Sequence, residues 1–411
     1  MAQHGQIAVI TIDSPPVNAL SQAVRSGLVE CVSAAVSAQN VHAIILICAG
    51  RTFIAGADIS EFGKPPLEPF LPDVLQTLDN CSKPIIAAMH GTALGGGLET
   101  ALACRYRIAL QSARIGLPEV NLGLIPGAGG TQRLPRIAGL ENALDMITSG
   151  RHVGAEEAFQ MGIIDQIADR EDLLAAAIKF TGQILAKGDT RPPISATSLE
   201  DSSESREILT RWETRVNKRA RGQESPLVAL QSIKNAVRLP FAEGLKKERE
   251  LFMACMRSAQ SKALRHVFFA ERVAAKLPRS MPDTAVEIRS AAIIGGGTMG
   301  RGIAMCFANK NIPVTVIETD QDKLGQALTA IEKTYLKMTA GGRINKQQQQ
   351  QRLALITGSC DYASLAQADL VIEAAFEKLA VKHSIFRSLD QHCKAGAILA
   401  TNTSYLDIEA I

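Results

Sequence analysis

The sequence predicts an α/β protein built from two units that follow one another along the chain. Short apolar segments of strand length alternate with helical stretches in the first part. Residues 278–283 (Pro-Arg-Ser-Met-Pro-Asp) then interrupt the pattern, as a domain boundary would. A strand–glycine turn–helix pattern begins again at residue 288. With 411 residues, the chain can form two or three domains, each with its own apolar core.

Apolar periodicity predicts the elements of the first part. The predicted helix over 21–39 carries Leu28, Cys31, Val32, Ala35 and Val36 at helical spacing. The elements are expected in this order: strand 7–12, helix 21–39, strand 43–48, helix 71–78, strand 85–89, helix 98–104 and strand 105–110. From about residue 141 the pattern becomes helical. Residues 188–205 are predicted to be a linker or exposed loop, and 226–277 a long amphipathic helical segment.

Composition excludes several classes of protein. Apolar residues make up 46% of the chain, as in a folded globular protein, and the net charge of +3 does not predict nucleic-acid binding. None of the eight cysteines forms a C-x-x-C pair, so we interpret them as reduced thiols of an intracellular protein and expect no metal site. We also expect no membrane insertion, because no apolar run reaches spanning length.

Two glutamates in glycine-rich surroundings are the main candidates for chemistry. Glu99 ends the run His-Gly-Thr-Ala-Leu-Gly-Gly-Gly-Leu-Glu, and Glu119 follows Gly-Leu-Pro. Two carboxyl groups near one substrate can manage water and a proton at adjacent carbons. Either motif alone is more often a turn followed by a helix-dipole partner. A predicted strand separates the two glutamates, so the sequence does not establish that they lie close together.

Backbone N–H groups beside these glycines are candidate oxyanion donors. A small residue, Ala57, follows Gly56 and leaves its N–H accessible. A second N–H is expected from Gly96, where a glycine turn opens the helix that carries Glu99. Two such donors would polarise a carbonyl and stabilise the enolate formed next to it.

Residues 1–190 resemble the crotonase family, the enoyl-CoA hydratase/isomerases. The resemblance lies in 53–59 (FIAGADI), 93–99 (ALGGGLE) and 116–133 (GLPEVNLGLIPGAGGTQR), and it implies a crotonase-like ββα spiral fold. It further implies catalytic roles for Glu99, Glu119 and the N–H groups of Ala57 and Gly96, with substrate contacts at Ala57, Asp58, Ile59, Gly96 and Gly127.

The implied reaction is hydration of a trans-2-enoyl-CoA to a 3-hydroxyacyl-CoA. Both glutamates would hold the water; Glu99 would take its proton while Glu119 delivers a proton to C2. The same Glu119 would shuttle a proton between C2 and C4, which isomerises 3-enoyl-CoA to 2-enoyl-CoA. We expect a perturbed pKa for at least one of these acids.

A second motif begins the second unit. The predicted strand 290–294 runs into Gly295, Gly297 and Gly300, and a helix follows. The next strand ends in Glu318, which is 18 residues after Gly300. A dinucleotide-binding fold places a ribose-binding carboxylate about 20 residues beyond its glycines. The pattern therefore predicts a dinucleotide site, and the acid favours NAD over NADP.

Residues 288–411 resemble the N-terminal part of 3-hydroxyacyl-CoA dehydrogenases. The resemblance implies that Glu377 and Lys382 contact cofactor or substrate, and that Ser404 bonds the substrate hydroxyl in a turn shared with Asn402. On the residues alone, Glu377 and Lys382 would be a solvated helix face. The catalytic histidine of that family lies beyond the serine, whereas His383 and His392 precede it. We therefore expect NAD binding, impaired hydride transfer and an exposed sheet edge.

The two resemblances occur in the order found in the multifunctional enzymes of peroxisomal fatty-acid β-oxidation. This order implies a hydratase domain over 1–190, a helical linker over 191–282 that completes the hydratase fold, and an incomplete Rossmann-type doubly wound parallel sheet over 283–411. It implies acyl-CoA substrates and a peroxisomal location, although the last residues carry no S-K-L signal. Fused enzymes of this kind are expected to be monomers, while separate hydratases form trimers or hexamers. The alternatives are an isomerase alone, or a non-catalytic acyl-CoA- or NAD-binding protein.

Overall fold

The computed structural model describes residues 1–58, 61, 65, 67–169, 172–188, 191–276 and 285–411. The chain divides into two compact units, Met1–Leu277 and Pro278–Ile411. The boundary predicted over 278–283 lies outside the described residues, and so does Ile59.

The first unit opens with alternating strands and helices. In chain order its elements are β1 (Ala2–His4), β2 (Ile7–Ile12), α1 (Gln22–Ser37), β3 (Ala43–Cys48), α2 (Leu71–Asp79), β4 (Ile85–Met89), β5 (Thr92–Leu94), α3 (Gly96–Ala103), β6 (Tyr106–Leu110), β7 (Arg114–Gly116), a 3₁₀ helix (Glu119–Leu122), α4 (Gly130–Ala138), α5 (Leu140–Ser149), β8 (His152–Gly154), α6 (Ala155–Gln160), β9 (Gln166–Ala168) and α7 (Leu173–Lys187). The strands predicted over 7–12, 43–48 and 85–89 are confirmed without change of bounds.

Two sheets organise this part of the unit. The larger has the described strand order β1-β2-β3-β4-β6-β9, and its pairs are parallel except β1 with β2. Successive residues of β3 point to opposite faces, so Ile44 and Leu46 join one apolar core while Ala43 and Ile45 join another beneath α7. Both faces are therefore covered, as parallel sheets require. The smaller sheet, β5-β7-β8, leads into the 3₁₀ helix at Glu119.

Further helices complete the first unit. They are α8 (Ser203–Ala220), α9 (Ser225–Arg238), α10 (Phe241–Arg257) and α11 (Ala259–Ala274). Trp212 of α8 and Leu230 and Ile233 of α9 are buried in the same core as β3 and α3. The segment predicted to be helical over 226–277 is helical in its described residues and consists of α9, α10 and α11. Pro240 forces the residue before it into extended backbone, and Ser258 caps the start of α11.

The second unit is built around one parallel sheet. Its elements are β10 (Ala291–Ile294), α12 (Thr298–Asn309), β11 (Val314–Ile317), α13 (Gln321–Ala340), α14 (Lys346–Ala354), β12 (Ile356–Ser359), a 3₁₀ helix (Tyr362–Leu365), β13 (Leu370–Glu373), α15 (Leu379–His392), β14 (Ile398–Thr401) and a 3₁₀ helix (Ile408–Ala410). The strand order is β12-β11-β10-β13-β14, and every described pair is parallel.

Helices cover both faces of this second sheet. Leu324 and Ile331 of α13 pack against Ile293 of β10, and Leu389 of α15 packs on the opposite face. This arrangement confirms the predicted doubly wound sheet. The edge strand β14 contains Ile398, which is 43% exposed. None of the helices formed by the described residues has the length and apolar character needed to cross a membrane.

Candidate functional site

The first candidate site is built on the glycine turn that opens α3. The chain passes so close to Ile54 here that a Cβ at Gly97 would lie 2.0 Å from the Ile54 carbonyl oxygen. Only glycine fits such an approach. The helix is buried along its whole length, and Glu99 lies in its first turn. The predicted N-terminal position of Glu99 on a helix is therefore confirmed.

Glu99 is buried, and the protein holds it by backbone donors. Glu99 is 3% exposed, and its Oε1 accepts hydrogen bonds from Ala128 N and Gly130 N, both at 2.8 Å. Burial raises the pKa of Glu99 above its ordinary value, because ionisation in a desolvated place is costly. The two N–H groups oppose this rise by stabilising the carboxylate.

Glu119 has a different environment. It is the first residue of the 3₁₀ helix, and a Cβ at Gly95 would lie 3.0 Å from its Oε1. Oε2 is buried and, among the residues that the structure describes, has no hydrogen-bond partner. Burial first and the charge of Glu99 second raise the pKa of Glu119 well above its ordinary value. The structure thus brings the two glutamates together at the turn before α3.

This pair can act as an acid and a base. Two backbone donors favour the ionised form of Glu99, whereas among the described residues only the backbone N–H of Glu119 itself favours the ionised form of Glu119. Two neighbouring carboxyl groups in unlike environments can divide the roles of proton acceptor and proton donor. Oε2 of Glu119 is buried and has no hydrogen-bond partner among the described residues, so it is the oxygen of the pair that is available for proton exchange.

The predicted oxyanion donors also lie together. A Cβ at Gly96 would lie 3.3 Å from the backbone nitrogen of Ala57. Gly96 is the first residue of α3, so its N–H precedes the first intrahelical hydrogen bond. The Leu20 N–H donates to Gly56 O at 3.0 Å and holds the loop that carries Ala57. The arrangement places two backbone donors beside the carboxyl pair.

Gly127 lies on the other side of the site, in the turn that leads to α4. A Cβ there would lie 2.5 Å from Cδ2 of Phe252, so the ring of this α10 residue packs directly on the glycine. The next residue, Ala128, donates to Glu99. The substrate contact at Gly127 stays a prediction. The structure adds that α10 contacts this glycine through Phe252.

A third buried carboxylate, Glu248, was missed from the sequence. It lies on α10, is 1% exposed, and accepts from Gly129 N at 2.5 Å and from Thr131 N at 2.8 Å. Burial first and the charge of Glu99 second raise its pKa to about 8. Gly244, Glu248 and Cys255 form the buried face of α10. Glu248 is spaced four residues from Gly244 and seven from Cys255, on the same helix face. An acidic residue on an otherwise small and apolar helix face is the sequence signal that could have indicated Glu248.

The second candidate site lies where β10 ends and α12 begins. β10 is flanked by β11 and β13, so the carboxyl ends of β10 and β13 form the point at which the strand order reverses. Ligands bind at this point in doubly wound sheets. A Cβ at Gly300 would lie 1.8 Å from Gly295 O, whereas one at Gly297 would meet nothing within 4 Å. The turn is therefore tight on its inner side and open on its outer side, which suits a phosphate.

Glu318 lies beside this turn, as its spacing predicts. It directly follows β11, and its Oε1 accepts from Gly296 N at 2.7 Å. An acid here, at the end of the second strand, is in the place where dinucleotide-binding folds hold a ribose. The residues present thus fit an adenine dinucleotide.

Lys382 is fully buried, which contradicts the alternative of a solvated helix face. Its Nζ lies 2.7 Å from Oε2 of Glu373 and 3.0 Å from Oε2 of Glu377. Glu373, at the end of β13, is also fully buried, and the sequence had not assigned it a role. The sequence signal that could have indicated Glu373 is its position as an acidic residue at the end of an apolar strand. These three residues form one ionic network.

The network reaches the turn that carries Ser404. Oε1 of Glu377 accepts from Ser404 N at 2.8 Å and from the Thr403 hydroxyl at 2.5 Å. The Thr403 bond first, then the Ser404 bond and Lys382, lower the pKa of Glu377 to about 2. The Asn402 N–H donates to Glu373 O at 2.7 Å. The structure thus brings the predicted residues of this turn together with Glu377 and Lys382.

The two histidines of α15 have partners other than this serine. His383 Nε2 lies 2.5 Å from Ala410 O, and His392 Nδ1 lies 2.8 Å from Ser388 O.

Family profiles match both units. Enoyl-CoA hydratase/isomerase matches residues 2–213, and the 3-hydroxyacyl-CoA dehydrogenase NAD binding domain matches residues 290–411.

Individual proteins are similar over nearly the whole chain. The "Peroxisomal bifunctional enzyme" of Danio rerio is 39% identical over 98% of this chain and 56% of its own length. The "Peroxisomal fatty acid beta-oxidation multifunctional protein MFP2" of Arabidopsis thaliana is 37% identical over 98% of this chain and 58% of its own length. The crystal structure of an enoyl-CoA hydratase from Bacillus anthracis is 26% identical, with a TM-score of 0.43, and the match covers 66% of this chain and 95% of that one. The chain therefore spans a little over half the length of these curated relatives.

Proposed function

Because the chain belongs to the enoyl-CoA hydratase/isomerase family, we propose that its first unit adds water across the 2,3 double bond of a trans-2-enoyl-CoA. The observation that carries this proposal is the pair formed by Glu99, which is buried and held by two N–H groups, and Glu119, whose buried Oε2 has no partner among the described residues. Two acids in unlike environments are what addition of water needs.

The reaction assigns one proton movement to each acid. Ionised Glu99 accepts a proton from water as the hydroxyl adds at C3. Protonated Glu119 delivers its proton to C2, where the electron pair of the double bond forms the new C–H bond. The N–H groups of Ala57 and Gly96 hold the thioester oxygen, on which negative charge develops in the transition state. Asp58, Gly127 and Ile59 are proposed to contact the substrate, by the family resemblance.

Isomerisation of 3-enoyl-CoA to 2-enoyl-CoA is the second candidate activity. Oε2 of Glu119, which has no partner within the described part of the chain, supports it, because one acid can take a proton from C2 and return it to C4. Glu99 has no required part in that step. Glu99→Gln is therefore expected to lose hydration and to retain isomerisation, which separates the two activities.

Hydration of crotonyl-CoA tests the main proposal. The absorbance of the enoyl thioester is followed for the wild-type chain, Glu119→Gln and Glu250→Gln; Glu250 is an exposed residue of α10 that pairs with Lys247. We expect the rate to fall about 10²–10⁴-fold in Glu119→Gln and to be unchanged in Glu250→Gln. A correctly folded wild-type chain that leaves the absorbance unchanged would overturn hydration as the function.

For the second unit we propose NAD binding. Gly295, Gly297, Gly300 and Glu318 would hold the dinucleotide, with Glu377 and Lys382 near its reactive end; when bound, NAD supplies the hydride acceptor. Ser404 would bond the hydroxyl of a 3-hydroxyacyl-CoA. Since His383 and His392 bond to Ala410 and Ser388, we expect this chain to bind NADH while forming little NADH from 3-hydroxybutyryl-CoA.

We further propose that the protein acts in peroxisomal fatty-acid β-oxidation. The support is similarity to relatives whose names state that location, over 98% of this chain. An antibody raised against the chain is expected to stain the same organelles as a peroxisomal marker enzyme. Staining of mitochondria alone would overturn the location. The monomeric state expected of a fused enzyme is likewise a proposal, which light scattering would test.

A further inference from the structure

The turn before α4 offers successive backbone N–H groups to two different carboxylates. Ala128 N and Gly130 N donate to Glu99, each at 2.8 Å. Gly129 N and Thr131 N, between and after them, donate to Glu248 at 2.5 and 2.8 Å. The turn therefore has a catalytic carboxylate on one side and a carboxylate of α10 on the other.

Glu248 accepts a side-chain hydrogen bond in addition to the two bonds from backbone N–H groups. Its Oε2 also accepts from the Thr131 hydroxyl. The Thr131 hydroxyl oxygen in turn lies 2.7 Å from the hydroxyl oxygen of Ser232 on α9. Gln132 Nε2 donates to the same Thr131 oxygen at 2.9 Å. Residues of α4, α9 and α10 thus form one buried hydrogen-bond network through Thr131 and Glu248, which fixes where the turn lies.

The bonding of Glu248 differs from that of a group that meets substrate. Both of its oxygens are occupied by protein donors, Oε1 by Gly129 N and Oε2 by Thr131. Glu119, in contrast, keeps a buried oxygen with no partner among the described residues. Glu248 is thus suited to holding the turn, and Glu119 to exchanging a proton.

We propose that Glu248 is a positioning residue for the hydration reaction: by holding Gly129 and Thr131, it orients the N–H groups of Ala128 and Gly130 that place Oε1 of Glu99. This inference rests on the proposed function. If Glu248 loses one acceptor oxygen, a buried N–H of the turn loses its partner, and the turn shifts to recover one. Shifts of about 0.5–1 Å at a catalytic group are enough to reduce rate strongly.

Glu248→Gln tests the proposal with little change of shape. The comparison is made above about pH 8, where Glu248 is ionised and both of its oxygens accept. The amide keeps one acceptor oxygen but presents an NH₂ group to a backbone N–H, so either Gly129 or Thr131 is left unpaired. In crotonyl-CoA hydration we expect kcat to fall about 10- to 100-fold while KM changes less than about threefold. Glu250→Gln, the same substitution on the exposed face of α10, is the matched control and should keep both constants.

A second comparison asks whether Glu248 acts through Glu99. In a chain that already carries Glu99→Gln, adding Glu248→Gln should lower the remaining rate less than about twofold, because the group being positioned is gone. Equal losses in the two backgrounds would overturn the positioning role. So would a raised KM with unchanged kcat, or full activity of Glu248→Gln.

Thr131 keeps the proposal testable if Glu248→Gln fails to fold. Thr131→Val removes only the hydroxyl that donates to Glu248, and we expect a smaller kcat loss that Thr131→Ser largely restores. No loss in folded Thr131→Val would count against the inference. An inactive wild-type chain would instead overturn the proposed function itself, and this inference with it.

Discussion

Glu99 and Glu248 accept hydrogen bonds from alternate N–H groups of the same turn. Glu99 takes those of Ala128 and Gly130, and Glu248 takes those of Gly129 and Thr131. One carboxylate comes from α3 and the other from α10, which are far apart in sequence. The helices after residue 191 therefore contribute directly to the candidate site of the first unit.

The pH dependence of hydration should reflect the raised pKa values of both acids. Glu119 must keep its proton and Glu99 must be ionised for the proposed reaction. Because burial raises the pKa of both groups, the range of full activity should lie at higher pH than for an ordinary carboxyl pair, with loss on its alkaline side as Glu119 ionises. Measurement of kcat/KM between pH 5 and pH 10 checks this; an optimum near pH 4.5 contradicts it.

Stability of the first unit should fall as pH rises, in part through Glu248. The pKa of Glu248 is about 8 in the folded state, against an ordinary value of 4.5. Between these two pH values the folded protein therefore binds more protons than the unfolded chain. The contribution of Glu248 to the free energy of unfolding is complete below pH 4.5 and is lost progressively as the pH rises to about 8. Glu248→Gln should show a smaller loss of unfolding free energy from pH 5 to pH 8 than Glu250→Gln. Fluorescence of Trp212, the single tryptophan, follows the unfolding.

Gly97→Ala should destabilise the first unit. The added Cβ would meet the Ile54 carbonyl at 2.0 Å, and neither backbone can move without disturbing the buried helix α3. We expect a cost of about 1–3 kcal/mol, as for other overpacked sites. Gly27→Ala, in α1, is the control: its Cβ would meet nothing within 4 Å, and helix propensity should make it neutral or slightly stabilising. Equal stability of the two variants in denaturant unfolding would refute the expectation.

NADH affinity should distinguish two glycines of α12. Gly300→Ala would place a Cβ 1.8 Å from Gly295 O and force the turn open, whereas Gly302→Ala would meet nothing within 4 Å. Loss of even one well-placed N–H to phosphate costs about tenfold in affinity. Enhancement of NADH fluorescence on titration measures both variants. Undiminished binding by Gly300→Ala would place the dinucleotide elsewhere.

Lys382→Met should destabilise the second unit strongly. Removal of the cation leaves Glu373, which is fully buried, without its charged partner. Breaking a buried pair in this way costs about 3–5 kcal/mol. Hydrogen–deuterium exchange of β13 and α15 should become faster, while exposed Lys378→Met leaves it unchanged. Adding Glu373→Gln to Lys382→Met should recover part of the protection, and no recovery would contradict the pairing.

Much of the fold follows from local pattern. The strands β2, β3 and β4 have the bounds that apolar periodicity predicts, and Glu318 follows β11 as its spacing from the glycines indicates. The crotonase-like and Rossmann-type folds implied by the motifs are confirmed by the two family matches. These features depend on neighbours within a few residues or on one βαβ unit, which the sequence states directly.

Some features needed the structure to define or correct them. The segment 226–277 is helical as predicted, but only the structure shows that Pro240 and Ser258 divide its described residues into three helices. Lys382 has the surroundings of a surface lysine in sequence, yet it is fully buried. Its burial depends on Glu373 and Glu377, which approach it only once α15 packs on the sheet.

The sequence by itself determined the two α/β units, their glycine turns and the candidate acids Glu99 and Glu119. Only the tertiary structure decided that these acids share one buried place, and that Glu248 holds the turn beside them. The physical reason is the range of the interactions. Helix and strand periodicity comes from neighbouring residues, whereas desolvation and backbone hydrogen bonds to a distant carboxylate arise when separate helices pack around a common core.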